Sequence, residues 1–361
     1  MNFCQKQDQN RRRFDLTQEY RPLLAITAGD PAGIGPEILV KCLADASLYG
    51  KCRPLVIGPA VCMEDAIRIV GSSLRVRRVQ GPEEAVFEPG TMDVMDIGGV
   101  DLTKLRYGTV QAMCGEAAFQ AVVTAIDLAM HGRADATVTG PLNKEALNLA
   151  GHHYSGHTEI YADYTGTRNY TMMLTAGNLR VVHVSTHVSL LEACRRVKKD
   201  RVLEVIRLAD QACRDLGIAN PRVAVAGLNP HAGENGMFGC EEIEEITPAI
   251  QEAAAMGIQV DGPVPADSVF SKARGGWYDI VVAMYHDQGH IPLKVAGFVW
   301  DEAQGRWTDI SGVNITLGLP IIRSSVDHGT AFGKAGKGTA NATSMGNAIE
   351  YAIELAKHRK I

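Results

Sequence analysis

The stretch ITAGDPAGIGPEIL, residues 26–39, follows a short apolar run (Leu23 to Ile26), crosses three glycines and leaves into a helical pattern. Strand, glycine loop and helix in that order outline a nucleotide-binding turn of an α/β protein. The dinucleotide fingerprint G-x-G-x-x-G is nevertheless incomplete. Gly33-Ile34-Gly35 supplies its first half only, and no acidic residue follows on a second strand about 20 residues later. A P-loop G-x-x-x-x-G-K-[ST] and a G-x-S-x-G nucleophile elbow are also missing from the chain. The stretch therefore argues for an α/β fold without arguing for a Rossmann domain.

The same alternation runs through the 361 residues. Leu23–Thr27, Pro54–Ile57, Ala136–Thr139, Val181–Ser185, Val223–Ala226, Ile280–Met284 and Val313–Leu317 read as strands. Helical patterns lie between them at Pro36–Ala44, Gly115–Met130, Lys144–Ala150, Arg201–Leu216, Glu241–Met256 and Thr343–Lys357. Such spacing predicts βαβ units and a largely parallel sheet. VWDEAQGRWTDI, residues 299–310, breaks the pattern and reads as a surface β-hairpin carrying Trp300 and Trp307.

Composition narrows the function. At 46% hydrophobic and 21% charged the chain resembles an ordinary globular protein, and its net charge of −5 argues against a nucleic-acid partner. The eight cysteines show no C-x-x-C or zinc-finger spacing and read as reduced thiols of a cytoplasmic protein. No run of about 18 apolar residues is evident, so no membrane span is expected. Residues 1–20 are polar, lack the apolar core of a signal peptide, and read as a flexible arm.

Ligands of open α/β sheets sit beyond the carboxyl ends of the strands. Thr186-His187 follows one predicted strand. GLNPHAGE, with Asn229, His231 and Glu234, follows another, and YHDQGHIPLK, with His286, Asp287, His290 and Lys294, follows a third. A lone histidine after a strand is usually a loop residue. Three at equivalent positions, each near Asn, Asp or Glu, point to a shared site for a divalent ion. Glu234 and Asp287 either orient the ligand imidazoles or are helix-capping or solvated carboxylates.

Anion-binding features accompany them. VTGPLNKEAL (138–147) runs from a strand into a helix start, where Asn143 is an N-cap or a ligand group. GHTEIYAD (156–163) places His157 and Thr158 before a helical pattern, and IIRSSVDHGT (321–330) supplies Arg323, a fork donor for phosphate or carboxylate unless it forms a surface ion pair. DHGTAFGKAGKGTANATSM (327–345) is rich in small residues that let backbone approach a ligand.

GDPAGIGPE, TGPLNKE, GHTE, STH, GLNPHAGE, GP-x-PAD, AMYHDQG and VNITLGLP-x-IR-x-SVDHGTA, in this order across residues 22–356, resemble the 4-hydroxythreonine-4-phosphate dehydrogenase family, including its D-threonate and D-erythronate 4-phosphate branch. The resemblance implies an isocitrate/isopropylmalate dehydrogenase-like α/β fold with two α/β/α subdomains flanking a cleft. The cofactor side would comprise 21–140 plus 297–361, and the metal, substrate and dimerisation side 141–296, with 299–310 as an inserted hairpin. The opening stretch and the late loop look like the two cofactor loops of isopropylmalate dehydrogenases.

By motif, the resemblance implies metal ligands His187, His231 and His286, and substrate groups His157, Thr158, Lys294, Asn314 and Arg323. Lys294 and Asp287 would be catalytic. Gly33, Gly35, His328, Gly329, Thr330, Ala331 and Asn341 would hold NAD or NADP. One divalent metal per site (zinc, cobalt, magnesium or manganese) and a homodimer with a shared active site are also implied. The implied reaction is oxidation of a 4-phosphorylated 3-hydroxy acid, then decarboxylation of the 3-keto acid. 4-Phosphohydroxy-L-threonine is the leading substrate, with D-threonate or D-erythronate 4-phosphate as the alternative. A metal-dependent hydrolase is a distant alternative that has no use for the HGTA loop.

Overall fold

The computed structural model describes residues 20–359 apart from 303–305 and 311. All but the last residue of the expected arm 1–20 lies outside the described residues. The strands are β1 Leu23–Thr27, β2 Arg53–Gly58, β3 Arg75–Val79, β4 Thr91–Asp96, β5 Ala136–Thr139, β6 Thr171–Ala176 and β7 Leu179–His183. They continue as β8 Val223–Ala226, β9 Val260–Val264, β10 Ile280–Ala283, β11 Phe298–Asp301, β12 Arg306–Ile310, β13 Val313–Leu317 and β14 Arg323–Val326.

Twelve of these form one unbroken sheet in the order β3-β4-β2-β1-β5-β14-β13-β6-β7-β10-β8-β9. Its central strands are short and apolar because both faces are covered: every residue of β1, β5, β8 and β10 is buried. The expected strands are all present. The expected parallelism holds on both flanks, but β6 and β13 run antiparallel to their neighbours and join the two flanks. β11 and β12 form a separate antiparallel pair in which Trp300 is opposite Trp307.

One stretch departs from the expected pattern. YHDQGHIPLK, which is not among the expected helices, enters a helix, His286–Gly297, that carries Pro292 inside it. Periodicity concealed this helix because its buried face, Gln288, Gly289, Leu293 and Gly297, carries a single large apolar side chain. Gly289 is what lets it lie close, since a Cβ there would stand 2.3 Å from His183 Nε2 and 2.7 Å from Val181 Cγ1. Helix Ala112–Met130 is the one described helix long and apolar enough to cross a membrane by length and composition alone. More than half of that stretch is buried within the fold, where it packs on β1, β2 and the helix Lys144–Leu149.

The opening stretch is fastened to the late glycine-rich loop. Helix Gly35–Leu43 starts with Pro36 in its first turn, where a missing N–H costs nothing. Glu37, 1% exposed, accepts the backbone N–H groups of Gly336 (2.6 Å) and Gly338 (2.7 Å). One turn on, Lys41 Nζ donates to the carbonyls of Gly338 (2.8 Å) and Ala340 (2.6 Å). Ile34 N–H donates to Thr330 O at 3.1 Å, and a Cβ on Gly33 would meet Thr330 Cβ at 2.9 Å. Two segments 299 residues apart in sequence thus form one wall.

Candidate functional site

A cleft of about 940 Å³ opens at the strand ends of β5, β7 and β14. Seven lysines and arginines line it against two glutamates, so its field favours an anion.

Arg323 lies at the heart of the cleft. It is 3% exposed, which excludes the surface ion pair. Its guanidinium donates to the hydroxyls of Thr316 (2.7 Å), Thr139 (3.2 Å) and Thr158 (3.3 Å), and its Nε has no partner. Burial lowers its pKa to about 10, which leaves it charged at neutral pH. Beside it, His157 is held well below the usual imidazole range by burial and by the Arg323 charge, and its buried Nε2 is unpartnered. Asn314 Oδ1 and His328 Nε2 are likewise buried without partners. Unsatisfied buried polar atoms cost about 1–3 kcal/mol each, and four lining one cleft mark where a polar ligand belongs. Asn143 does act as an N-cap, accepting Ala146 N–H at 2.8 Å.

The histidines divide into a pair and an outlier. The rings of His187 and His286 are 5.8 Å apart, and burial, followed by the neighbouring His286, lowers the pKa of His187 toward the neutral, ligating form. Asp287 Oδ1 lies 2.7 Å from His286 Nδ1, which leaves Nε2 as the available lone pair. His231 lies apart from them on an exposed turn, its nearest ring being that of Phe238 at 6.5 Å. The turn runs left-handed from His231 to Asn235, a conformation that persists only where the surroundings impose it. Glu242, 2% exposed, imposes it by accepting the N–H groups of Leu228 and Asn229, both at 2.7 Å. Glu234 is exposed on the same turn. Among the described residues, no group of three His, Cys, Asp or Glu side chains could hold a metal ion within one chain.

Lys294 forms an ion pair with Asp327. On the wall described above, Gly33, Gly35 and Thr330 are buried, Ala331 is left-handed (φ 44°), and Asn341 accepts Thr343 N–H at 2.7 Å just before the last helix. Sequence reasoning assigned no role to Asp327 or Glu242, nor to the buried His183, whose ring stands 4.7 Å from that of His290, itself stacked on His286 at 3.6 Å. Asp327 was within reach, since it opens the quoted motif DHGTAFGKAGKGTANATSM. Glu242 sits in an acidic helical run with nothing to distinguish it from its neighbours.

Fold and cleft together define a class: an α/β protein with an electropositive cleft at its strand ends, suited to a small anion. The chain matches the family described as Pyridoxal phosphate biosynthetic protein PdxA over residues 50–352. It is 49% identical to the D-threonate 4-phosphate dehydrogenase of Cupriavidus necator over 94% of this chain and 99% of that one. The crystal structure of 4-hydroxythreonine-4-phosphate dehydrogenase from Klebsiella pneumoniae superposes with a TM-score of 0.82 at 45% identity, covering 94% of this chain and 99% of that one. The 4-hydroxythreonine-4-phosphate dehydrogenase of Burkholderia phymatum gives 0.80 at 46%, covering 93% and 99%. The chain belongs to the PdxA family. It is a dehydrogenase, an oxidoreductase acting on a CH–OH group.

Proposed function

We propose that the chain oxidises the C3 hydroxyl of D-threonate 4-phosphate, with NAD or NADP as hydride acceptor, and that the resulting 3-keto acid loses its carboxyl group as CO2. The observation that carries this choice of substrate is the charge of the cleft, lined by seven Lys/Arg and two Glu. A sugar-acid phosphate is anionic at both ends and carries no cation. 4-Phosphohydroxy-L-threonine, the second reading, adds an ammonium at C2 that this lining repels. The names of the two solved relatives favour that second reading.

Arg323, His157, Thr158 and Asn314 hold the anionic ends in this reading, and Lys294 and Asp287 move protons, taking one from the C3 hydroxyl as hydride leaves C3 and returning one to C2 once CO2 has left. The cofactor lies along the wall of Gly33, Gly35, His328, Gly329, Thr330, Ala331 and Asn341. The side of the cleft formed by 21–140 with 297–361 carries it, and 141–296 carries the metal ligands. His187 and His286 suit a divalent ion chemically but are two ligands only. The partner subunit's His231 completes the set in a homodimer; its exposed turn, flanked by the exposed Met237 and Phe238, is consistent with burial against a second copy. When bound, the divalent ion supplies Lewis-acid stabilisation of negative charge at the reacting oxygen.

The test is a substrate panel of D-threonate 4-phosphate, D-erythronate 4-phosphate and 4-phosphohydroxy-L-threonine, each with NAD or NADP and a divalent ion, followed by appearance of the reduced cofactor. The expected kcat/KM for a sugar-acid phosphate exceeds that for the amino acid by about tenfold or more, equivalent to ~1.4 kcal/mol of discrimination. Chelation should abolish turnover. The reverse order of substrates would establish the second reading.

A further inference from the structure

Lys294 and Asp327 are 33 residues apart in sequence and meet beside the cleft, Asp327 lying between its lining residues Val326 and His328. Lys294 is in the last turn of helix His286–Gly297, on the face that carries His286 and His290 at four-residue intervals. Asp327 is the first residue beyond β14 and opens the late glycine-rich loop. On its own side Asp327 is firmly seated. Its N–H donates to Ser344 Oγ at 3.2 Å, and that hydroxyl donates to Gly312 O at 2.7 Å. A Cβ on Gly312 would fall 2.7 Å from Asp327 Oδ2, so backbone closes directly against the carboxylate.

The next residue, His328, lines the cleft, and Thr330 two positions later receives Ile34 N–H. The carboxylate that meets the Lys294 ammonium therefore shifts whenever this loop shifts. A charge-assisted contact between two anchored elements transmits position better than a contact between two mobile side chains. Lys294 Nζ also lies 3.4 Å from the Asp327 carbonyl, which adds direction to the pairing.

We propose that Asp327 is a positioning residue that couples the cofactor-side loop to Lys294 and fixes its ammonium for proton transfer. This rests on the assignment of Lys294 to proton transfer, which Lys294→Met tests separately. Wild-type kcat in Lys294→Met would end that assignment, and the proposal with it, while leaving the substrate panel untouched.

The experiment is a double-mutant cycle on the full-length enzyme with D-threonate 4-phosphate and NAD, alongside thermal unfolding of every variant. Asp327→Asn is expected to lower kcat about tenfold or more with substrate KM changed less than about threefold, and Lys294→Met with Asp327→Asn is expected to be no slower than Lys294→Met alone. Asp327→Glu should recover much of the loss, since it restores the charge one methylene away. Ser344→Ala, which releases the Asp327 backbone, should lower kcat in the same direction and serves if Asp327→Asn fails to fold. Activity of Asp327→Asn within about twofold of wild type, or losses that multiply in the double variant, would overturn the proposal. So would a loss in Asp327→Asn that tracks its unfolding temperature and is not recovered by Asp327→Glu.

Discussion

Arg323 carries a full charge in a nearly sealed position, with three hydroxyls and no carboxylate to meet it. Hydroxyl oxygens orient a guanidinium without neutralising it, so the charge is left for a ligand, and a phosphate or carboxylate matches its planar fork. A lysine would keep the charge while losing both the fork and two of the three hydroxyl contacts. Arg323→Lys is therefore expected to raise substrate KM by roughly 10–100-fold with a smaller effect on kcat, as steady-state kinetics against D-threonate 4-phosphate would show. An unchanged KM would place the anion elsewhere in the cleft. Among the candidate substrate residues, His157, Thr158 and Arg323 stood out in sequence as anion-type groups in short polar motifs, while Asn314, inside β13, was named only through the family resemblance. What sequence could not show for Arg323 is depth, since IIRSSVDHGT reads equally well as an exposed turn. His183 was hidden for the opposite reason. It lies inside the apolar run of β7, and only the packing of Gly289 against it reveals that the ring needed space.

At the scale of elements, the first helix and the last loop act as one unit. A single carboxylate, Glu37, satisfies two backbone donors that would otherwise be orphaned at a nearly buried site. Glu37→Ala is expected to destabilise the protein by about 2–4 kcal/mol in denaturant unfolding and to raise the KM for NAD more than the KM for substrate. Equal rises in both would mean that the loop does not serve the cofactor. Sequence reasoning paired these two segments by resemblance; the hydrogen bonds from Glu37 and Lys41 show the physical link. Seven of the twelve sheet strands were recovered, among them the wholly buried β1, β5, β8 and β10. β3, β4, β6, β9 and β14 were missed; β3 (RVRRV) is mostly exposed and β14 (RSSV) is buried through polar side chains, so neither carries much apolar signal, whereas β6 (TMMLTA) is buried throughout without an alternating pattern to mark it. β14 is buried between β5 and β13, a position that depends on strands distant in sequence.

At the scale of the whole molecule, a single chain presents His187 and His286 together and sends His231 outward on a strained, exposed turn. Three histidines after three strands were legible in sequence, but which chain each would serve was not, because strand-end position is the same whether a ligand faces its own cleft or a neighbour's. A shared site has a consequence that a self-contained site lacks. In the proposed dimer, His231→Ala would remove a ligand from the partner's site and leave the His187–His286 pair of its own chain intact; His187→Ala would do the reverse. Each variant alone should be inactive and should bind the divalent ion weakly. Co-refolded in equal amounts, half of the dimers are mixed, and each mixed dimer has one complete site and one lacking both ligands. Activity should therefore return to roughly a quarter of the wild-type value per chain, with metal binding recovered in the same proportion. Mixtures that stay inactive while forming heterodimers would show that His231 serves its own chain, and the turn at 231–235 would then have to close by a change of backbone within one subunit.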